Sequence, residues 1–412
     1  MKKEFLIILF CLPLTLFSQH WKYDEYIPKY KNEILDSSNI KKSRESRILS
    51  DLSFIGAYQE LYDRLVWPDT TLESVFSNLM EKSKIQNAKS YIISKSKTKR
   101  ILITNEAHYR PEHRVFTTSL LEDLYNQGYR YLALEAILST KYYNSTEPLN
   151  TFNLGDTTIM SRGYPLMKAC SGTYAKEPQY GNMIRKAIEL GYNLIGYEER
   201  GKTRELNQAR NIARIFDIDP AAKIVVHCGY GHLIETPRTR KNGKIDSLMA
   251  FHLRHITGYD PFTIDQTHYA WCTNVSEIVF GNSIVSSPQI IINKEGAFKS
   301  NRSEEQDFWD LTIFHEPITF INNRPSWLVN NFSYVFEFDQ SLIKLDFPVR
   351  IKLLNVQDRL DAVPVDIIEV DNQSDFKLQF YGNKAVGKLI VENQRGDRQL
   401  INVVGKPTSN KR

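Results

Sequence analysis

Residues 100–114 read RILITNEAHYRPEHR, and this stretch decides the fold. A short, largely β-branched run over 101–104 stops at Asn105, and Pro111 opens a segment compatible with a helix. Ionisable side chains follow the run directly: Glu106, His108, His113 and Arg114. The pattern predicts a buried parallel strand that carries ionisable groups at its carboxyl end, followed by a loop and a helix.

The same layout recurs along the chain. Apolar runs at 131–134, 192–197, 223–226 and 262–265 are each followed by acidic or imidazole side chains. In chain order these are Glu135, Glu198 and Glu199, His227 with Tyr230 and His232, and His268. Ligands of open α/β sheets bind outside the carboxyl ends of the strands, so we expect these groups to share one edge of a sheet.

Strands that alternate with helices predict an α/β fold with a mainly parallel central sheet flanked by helices. We expect a signal peptide at 1–19, a helical N-terminal cap at 20–95, an α/β catalytic-type domain at 96–332 and a C-terminal β domain at 333–412. Short strand-like runs separated by Asp, Asn and Gly turns make the last part typical of a small antiparallel sandwich.

Two further stretches carry specific expectations. Strand-like runs at 276–280, 289–292 and 311–314 are expected to complete the α/β domain. The long polar connection at 138–177 predicts a lid or a substrate-binding excursion, because long connections inside compact domains are usually functional.

The first residues predict export to the periplasm or the extracellular space. A basic start, an apolar run over 5–17 and a polar exit are typical of a secretory signal peptide, which is too short for a membrane span. No other run reaches the length of a transmembrane helix. After cleavage Cys170, Cys228 and Cys272 remain, which allows at most one disulfide.

Charge and motifs exclude several classes of function. The formal net charge is +5 and the Lys and Arg residues are dispersed, so nucleic acid is not an expected partner. The chain has neither the Gly-x-Ser-x-Gly elbow of serine hydrolases nor a phosphate-binding Gly-x-x-x-x-Gly-Lys loop. The expected partner is a small-molecule or peptide substrate, with no membrane span.

Glu106 and His108 alternate around one residue, which leaves two chemistries open. The carboxylate can orient the imidazole as a general base for water. Alternatively, both side chains can join Glu135 and His232 around a divalent metal. Arg114 is a candidate for stabilising an oxyanion or binding an anionic group of the substrate.

These residues resemble the erythromycin-esterase-like and ChaN-like proteins, a superfamily that includes the Tiki proteases. The resemblance covers about residues 97–270. It rests on Asn105–Arg114, Ala133–Glu135, Arg204 with Gln208 and Asn211, and His227–His232. It implies a parallel α/β sheet and, among members, water-activating esterases, metal-dependent proteases and haem-binding proteins. Asn105 replaces the usual glycine, and the single residue between Glu106 and His108 is closer to the haem-binding branch.

The leading hypothesis is an exported hydrolase with an esterase- or peptidase-like Glu/His site. Its catalytic residues are Glu106, His108, Glu135 and His232. Its predicted substrate-binding residues are His113, Arg114, Glu198, Glu199, His227, Tyr230 and His268. The alternatives are a haem- or iron-binding protein that uses His113, Tyr109 and Tyr230, and a non-catalytic module whose β domain binds the partner. The sequence leaves the metal, the haem and the substrate unspecified.

Overall fold

The computed structural model describes residues 26–65, 71–138, 152, 154–239, 243–271, 275–281, 285–299 and 308–408. The predicted signal peptide and Cys272 lie outside these ranges. Cys170 and Cys228 both carry free thiols. Within the ranges, none of the helices combines the length and the apolar composition that a bilayer crossing requires.

The N-terminal part of the chain is helical, with one strand that the sequence did not indicate. Its helices are α1 (Lys31–Ile34), α2 (Ser37–Lys42), α3 (Glu45–Phe54), α4 (Tyr58–Asp63), α5 (Thr71–Met80) and α6 (Ala88–Ser96). Strand β1 (Lys84–Asn87) lies inside the predicted helical cap because it pairs antiparallel with a distant segment, Gln289–Asn293.

Six parallel strands form the central sheet, as predicted. They are β2 (Ile101–Glu106), β3 (Tyr131–Leu138), β4 (Asn193–Glu198), β5 (Ile224–Gly229), β8 (Phe262–Asp265) and β11 (Leu311–Thr312). Four short antiparallel strands lie between them in the chain: β6 (Arg238–Thr239), β7 (Ile245–Asp246), β9 (Gln289–Asn293) and β10 (Gly296–Ala297).

The order of strands across the sheet positions the site. The order is β11-β8-β2-β5-β3-β4, so β5 lies between β2 and β3. The register pairs Thr104 with His227 and Glu106 with Gly229. Side chains that are more than a hundred residues apart in the chain therefore come level with each other at the carboxyl end of the sheet.

Helices cover both faces of the sheet, which explains its nearly continuous apolar strands. One face packs against α7 (Pro111–Asn126) and α9 (Pro178–Leu190) through residues such as Leu102 and Leu132. The other face packs against α10 (Arg204–Ala213) and α12 (Met249–Thr257) through Ile101 and Ile103. The shorter helices are α8 (Ile159–Arg162), α11 (Ile215–Ile218) and α13 (Val275–Phe280).

Helix α13 corrects the strand expected at 276–280. Val275 and Val279 lie four residues apart on the buried side of the helix, and they pack in a cluster around Phe76. A short apolar run fits a buried helix as well as a strand, and here the packing partner decides between them.

The C-terminal part forms two antiparallel sheets over one apolar core, as expected for the β domain. It begins with the hairpin β12 (Phe320–Ile321) and β13 (Arg324–Pro325) and helix α14 (Ser326–Asn331). The strands that follow are β14 (Tyr334–Phe338), β15 (Val349–Asn355), β16 (Asp366–Val370), β17 (Leu378–Gly382), β18 (Val386–Asn393), β19 (Arg398–Val404) and β20 (Lys406–Pro407). Their orders are β17-β14-β20 and β16-β15-β18-β19, and Phe336, Phe380 and Ile351 are among the residues of the shared core.

A fully buried arginine ties the N-terminal segment to this β domain. Arg350 of β15 donates to the carbonyls of Pro28 and Lys29 at 3.0 and 2.9 Å, and to Glu369 at 3.0 Å. Its guanidinium also lies 4.3 Å from the ring centre of Tyr30. The chain entering α1 is therefore held by strands that come more than three hundred residues later.

We predict that Arg350→Ala lowers the free energy of unfolding by about 3 kcal/mol, because it leaves the Glu369 carboxylate buried without its cation. Arg395→Ala serves as the control, since Arg395 pairs with Asp346 on the surface and should change stability by less than about 0.5 kcal/mol. Urea denaturation measures both. Equal, small effects of the two substitutions would contradict the anchoring role.

Candidate active site

Glu106 at the end of β2 is the centre of a buried polar cluster. Arg114, in the first turns of α7, donates to both of its oxygens, from Nε to Oε2 at 2.6 Å and from Nη2 to Oε1 at 2.7 Å. Two imidazoles complete the shell, with His108 Nδ1 at 2.9 Å from Oε1 and His227 Nε2 at 2.8 Å from Oε2. The carboxylate is thus held on all sides.

Glu177, at the end of the connection over 138–177, binds Arg114 of this cluster. Arg114 Nη1 donates to Glu177 Oε2 at 2.8 Å, and Glu177 also caps α9 by accepting from the backbone N–H of Tyr180. Arg114 and Glu177 are both fully buried. The pair fixes the end of the connection to the start of α7.

Glu135 of β3 forms a second cluster beside the first. Its Oε1 accepts from Arg204 Nη2 at 2.7 Å and lies 3.4 Å from His232 Nε2. Arg204 also binds both oxygens of Glu198, at 2.8 and 2.6 Å. His232 Nδ1 contacts Glu205 Oε2 at 2.7 Å. Arg204 therefore joins the ends of β3 and β4 to the turn that follows β5.

Gly229 is the point where the two clusters meet. Its backbone N–H donates to Glu135 Oε2. A Cβ at this position would lie 2.4 Å from His108 Cε1 and 3.1 Å from Glu135 Oε2. Only a residue without a side chain lets the imidazole and the carboxylate approach from both sides. The four predicted catalytic side chains, at positions 106, 108, 135 and 232, thus converge at one edge of the sheet.

His108 lines a cavity of about 500 Å³, which we call the His108 cavity. The ring stacks on Tyr174, with 3.8 Å between ring centres and 15° between the planes, and meets Tyr230 edge-on at 4.9 Å. The side chain of His108 is 17% exposed, against 1% for Glu106. Of the Glu106 cluster, it is His108 that reaches the cavity.

The turn after β5 presents Tyr230 in a left-handed backbone conformation, with φ at 44°. Non-glycine residues adopt this region at a cost, and such strain is common at functional sites. Asn105 supports the turn, since its amide donates to the Tyr230 carbonyl at 2.8 Å and to Asp265 at 2.7 Å. Asn105 therefore ties together the ends of β2, β5 and β8.

The cluster keeps both carboxylates ionised. Burial alone would raise the pKa of Glu106, but the Arg114 guanidinium and the hydrogen bonds from His108 and His227 hold that pKa well below its usual range. Burial likewise raises the pKa of Glu135, and the nearby His232, His108 and Arg204 lower it by more.

Burial and neighbouring charges shift the pKa of His232 in opposite directions. Burial lowers its pKa, while the carboxylates of Glu135 and Glu205 raise it to about 10. Arg204 Nη1 lies 2.9 Å from His232 Nε2 and can only donate, so this contact favours the neutral ring. The two carboxylates together outweigh the guanidinium, and the net direction is upward.

Several predicted substrate-binding residues lie elsewhere. Arg114 is buried within the Glu106 cluster, so it positions that carboxylate instead of contacting the cavity. His227 is 1% exposed and likewise binds Glu106. Glu198 is held by Arg204, and Glu199 accepts from Asn211 at 3.3 Å. Of the predicted substrate-binding residues, Tyr230 lines the His108 cavity.

His113 and His268 do not line the His108 cavity. His113 Nδ1 accepts from the Ala107 N–H at 3.1 Å, and its ring stacks on His315 at 4.9 Å. Both rings line a separate cavity of about 310 Å³. His268 packs against Tyr269 and Trp309.

The same geometry bears on the metal and haem alternatives. In the described part of the chain, no group of three or more His, Cys, Asp or Glu side chains is arranged to hold a metal ion, and the oxygens of Glu106 are already taken by Arg114 and two histidines. Tyr230 and His113 line different cavities. The donor sets proposed for a metal and for haem therefore do not fit these side chains.

Sequence reasoning missed Tyr174, Glu177 and the structural role of Arg204. Glu177 before Pro178 is a helix-start signal, since proline is favoured at the first helical position, but nothing local links it to Arg114. Arg204 was visible only as part of the family-like motif. Tyr174 lies in a short 3₁₀ turn, Tyr174–Lys176, and its contact with His108 joins residues that are 66 positions apart in the chain.

We predict that the new methyl group of Gly229→Ala displaces the His108 ring from Glu106. If this site is catalytic, as the sequence predicts, its activity should fall by about a hundredfold, because misplacement of about 1 Å has effects of this order. Gly258→Ala is the matched control, as no atom lies within 4 Å of a Cβ there, although its φ of 70° adds backbone strain. Steady-state kinetics with thermal unfolding compares the two. Full activity of the Gly229 variant would contradict the assigned close approach.

We also predict that the protein loses stability as the pH falls from about 6.5 to 5. Burial lowers the pKa of His113 well below its usual range and that of His315 to about 3. The unfolded chain then binds protons that the folded chain does not, at a cost of about 1 kcal/mol per histidine over this window. The raised pKa of His232 changes stability little over this window, while Glu235, whose pKa burial raises to about 7, takes up a proton in the folded chain and offsets part of the loss.

His315→Gln tests this pH dependence, because glutamine keeps a donor toward Gln266 Oε1, now 3.0 Å from His315 Nε2, and does not titrate. The variant should show a shallower fall in unfolding free energy between these pH values, measured by urea denaturation. His255→Gln on the exposed side of α12 should leave the slope unchanged. Identical slopes in all three proteins would refute the assignment.

Comparisons with known proteins add no assignment. No family model and no curated protein matches this chain. The type III effector HopBA1 is similar at 12% identity over 44% of this chain and 84% of that chain, with a TM-score of 0.29. The MARTX toxin effector domain RRSP from Vibrio vulnificus CMCP6 is 12% identical over 57% of this chain and 47% of that chain, with a TM-score of 0.29. This chain therefore matches less than half the length of RRSP, and similarity at these TM-scores does not show a common fold.

Proposed function

We propose that this protein is an exported hydrolase of the erythromycin-esterase-like type that cleaves an ester or amide bond with His108 as general base. The observation that carries the proposal is the geometry of His108. Its Nδ1 is held by Glu106 at 2.9 Å, and its partly exposed side chain lines the His108 cavity. A carboxylate on one nitrogen leaves the other nitrogen of a neutral imidazole as a proton acceptor.

The reaction follows from this arrangement. Water gives a proton to Nε2 of His108 while its oxygen adds to the carbonyl carbon of the substrate. The bond to the leaving group then breaks, and the leaving oxygen or nitrogen takes the proton from the imidazolium. Glu106 and Glu135 stabilise the positive charge that the ring carries between the two steps.

The remaining side chains keep these groups in place. Arg114 holds the Glu106 carboxylate with two hydrogen bonds, and Arg204 and His232 hold Glu135. Preorganised groups of this kind contribute to rate because they need no rearrangement during the reaction. Arg114 and Arg204 are thus positioning residues.

Tyrosine hydroxyls take the role first assigned to Arg114. Tyr174 and Tyr230 both line the His108 cavity. Burial raises the pKa of each phenol, so both remain protonated donors at neutral pH. A phenol that donates to the carbonyl oxygen stabilises the charge that develops there.

We predict that His108→Ala lowers kcat/KM by about a hundredfold or more on any ester or peptide that the wild type cleaves, the range expected for loss of a general base. The measurement is a panel of p-nitrophenyl esters and fluorogenic peptides assayed with the purified full chain. His255→Ala, on the exposed side of α12, is the matched control and should retain wild-type rates. A His108 variant with full activity would exclude this mechanism.

A further inference from the structure

Helix α3 and the residues directly before it form one wall of the His108 cavity. This wall contributes two guanidinium groups, from Arg44 and Arg47. It also contributes the hydroxyl-bearing residues Ser43, Ser46 and Ser50, and Thr173 lies beside them. Guanidinium and hydroxyl donors are the groups with which proteins bind carboxylate and phosphate oxygens. We call this surface the α3 wall.

The nearby acidic residues do not cancel the positive charge of the α3 wall. Asp51 lines the cavity and pairs with Arg47, with 3.0 Å between Arg47 Nε and Asp51 Oδ1. Glu45 follows Arg44 in sequence but pairs with Arg64 at 2.9 Å. Among the residues that the structure describes, no acidic side chain forms an ion pair with Arg44. One guanidinium is therefore available to a ligand.

Lys176 adds positive charge to the same region. It closes the short turn that brings Tyr174 onto His108, and its ammonium lies 4.6 Å from the ring centre of Tyr26. Burial, with a further contribution from the charge of Arg47, lowers the pKa of Lys176 to about 8. Arg47 is thus close enough for its charge to disfavour a second cation, and a bound anion would relieve that repulsion.

We propose that the α3 wall is a recognition subsite and that the substrate carries a carboxylate or phosphate group on the part of the molecule away from the scissile bond. This inference rests on the proposed function, because it takes His108 as the reacting end of the cavity. Arg44 binds the anionic group by charge-assisted hydrogen bonds, with Arg47 and the serine hydroxyls beside it. A cavity of about 500 Å³ suits a small molecule or the end of a peptide.

The test compares an anionic ester with a neutral ester of matched length, p-nitrophenyl hemiglutarate and p-nitrophenyl pentanoate. The wild type should favour the anionic ester in kcat/KM. In the double variant Arg44→Gln, Arg47→Gln this preference should fall about tenfold or more, the loss expected when charge-assisted hydrogen bonds are removed. Arg395→Gln on the surface of the β domain is the control and should keep the preference. Equal rates for both esters in the wild type, or an unchanged preference in the double variant, would overturn the inference.

A direct binding measurement tests the anion subsite independently of the proposed hydrolysis. Glutarate and inorganic phosphate are titrated into the full chain by calorimetry, for the wild type and for the double variant. Binding that the double variant loses supports the subsite even if neither ester is cleaved, and the tighter of the two ligands identifies the anion. If the esters are cleaved but neither anion binds the wild type, the hydrolase stands and the subsite is wrong.

Discussion

The buried ion pair of Glu106 and Arg114 is the interaction on which the rest of the site depends. Taking both charges out of water costs several kcal/mol per ion, and the pair is stable only when its geometry and its additional hydrogen bonds are good. Here the guanidinium meets both carboxylate oxygens and Glu177, while two imidazoles complete the carboxylate's shell. The pair therefore fixes strand β2, helix α7 and the connection before α9 relative to one another.

That constraint explains why His108 is held so closely. The Arg114 Nη2 atom donates to the His108 carbonyl at 2.7 Å as well as to Glu106, so one guanidinium fixes both the backbone and the side-chain partner of the same histidine. Tyr174 stacks on one face of the ring, and Gly229 lies against its edge. The side chain of His108 remains partly exposed, and it lines the cavity beside α3.

The order of strands in the sheet places the Glu135 cluster beside the Glu106 cluster. Because β5 lies between β2 and β3, its last residue Gly229 lies between His108 and Glu135, and the turn that follows brings His232 to Glu135. Two clusters of charge, each with one arginine paired to its central carboxylate, then meet at one glycine. This division lets two ionised carboxylates lie beside one imidazole without either being left unpaired.

Much of the central sheet and of the candidate site could be predicted from the sequence, because the signals are local. Apolar runs that stop at ionisable residues placed Glu106 correctly at the end of β2, and parallel strands place such ends at one edge. Strands β3 and β5 continue past the predicted ends at Glu135 and His227, to Leu138 and Gly229. The parts that failed depend on tertiary contacts. Pairing between 84–87 and 289–293 created β1, and packing around Phe76 made 275–280 a helix.

The same limit applies within the site. Arg114 has the chemistry of an anion-binding residue, but it is buried against Glu177, a contact between residues 63 positions apart that no short motif predicts. Arg44 and Arg47 lie at the start of α3, which the sequence predicted only as part of a helical cap. That they line the same cavity as His108 depends on how α3 packs, and the sequence does not show this.

The central claim is that Glu106 fixes the tautomer of His108, and nitrogen NMR of the imidazole tests it most directly. With ¹⁵N-labelled histidine, and with the His108 signals assigned by their loss in a His108→Gln variant, the account predicts a proton on Nδ1 and a bare Nε2 at neutral pH. A neutral ring that carries its proton on Nε2 in the wild type would contradict it.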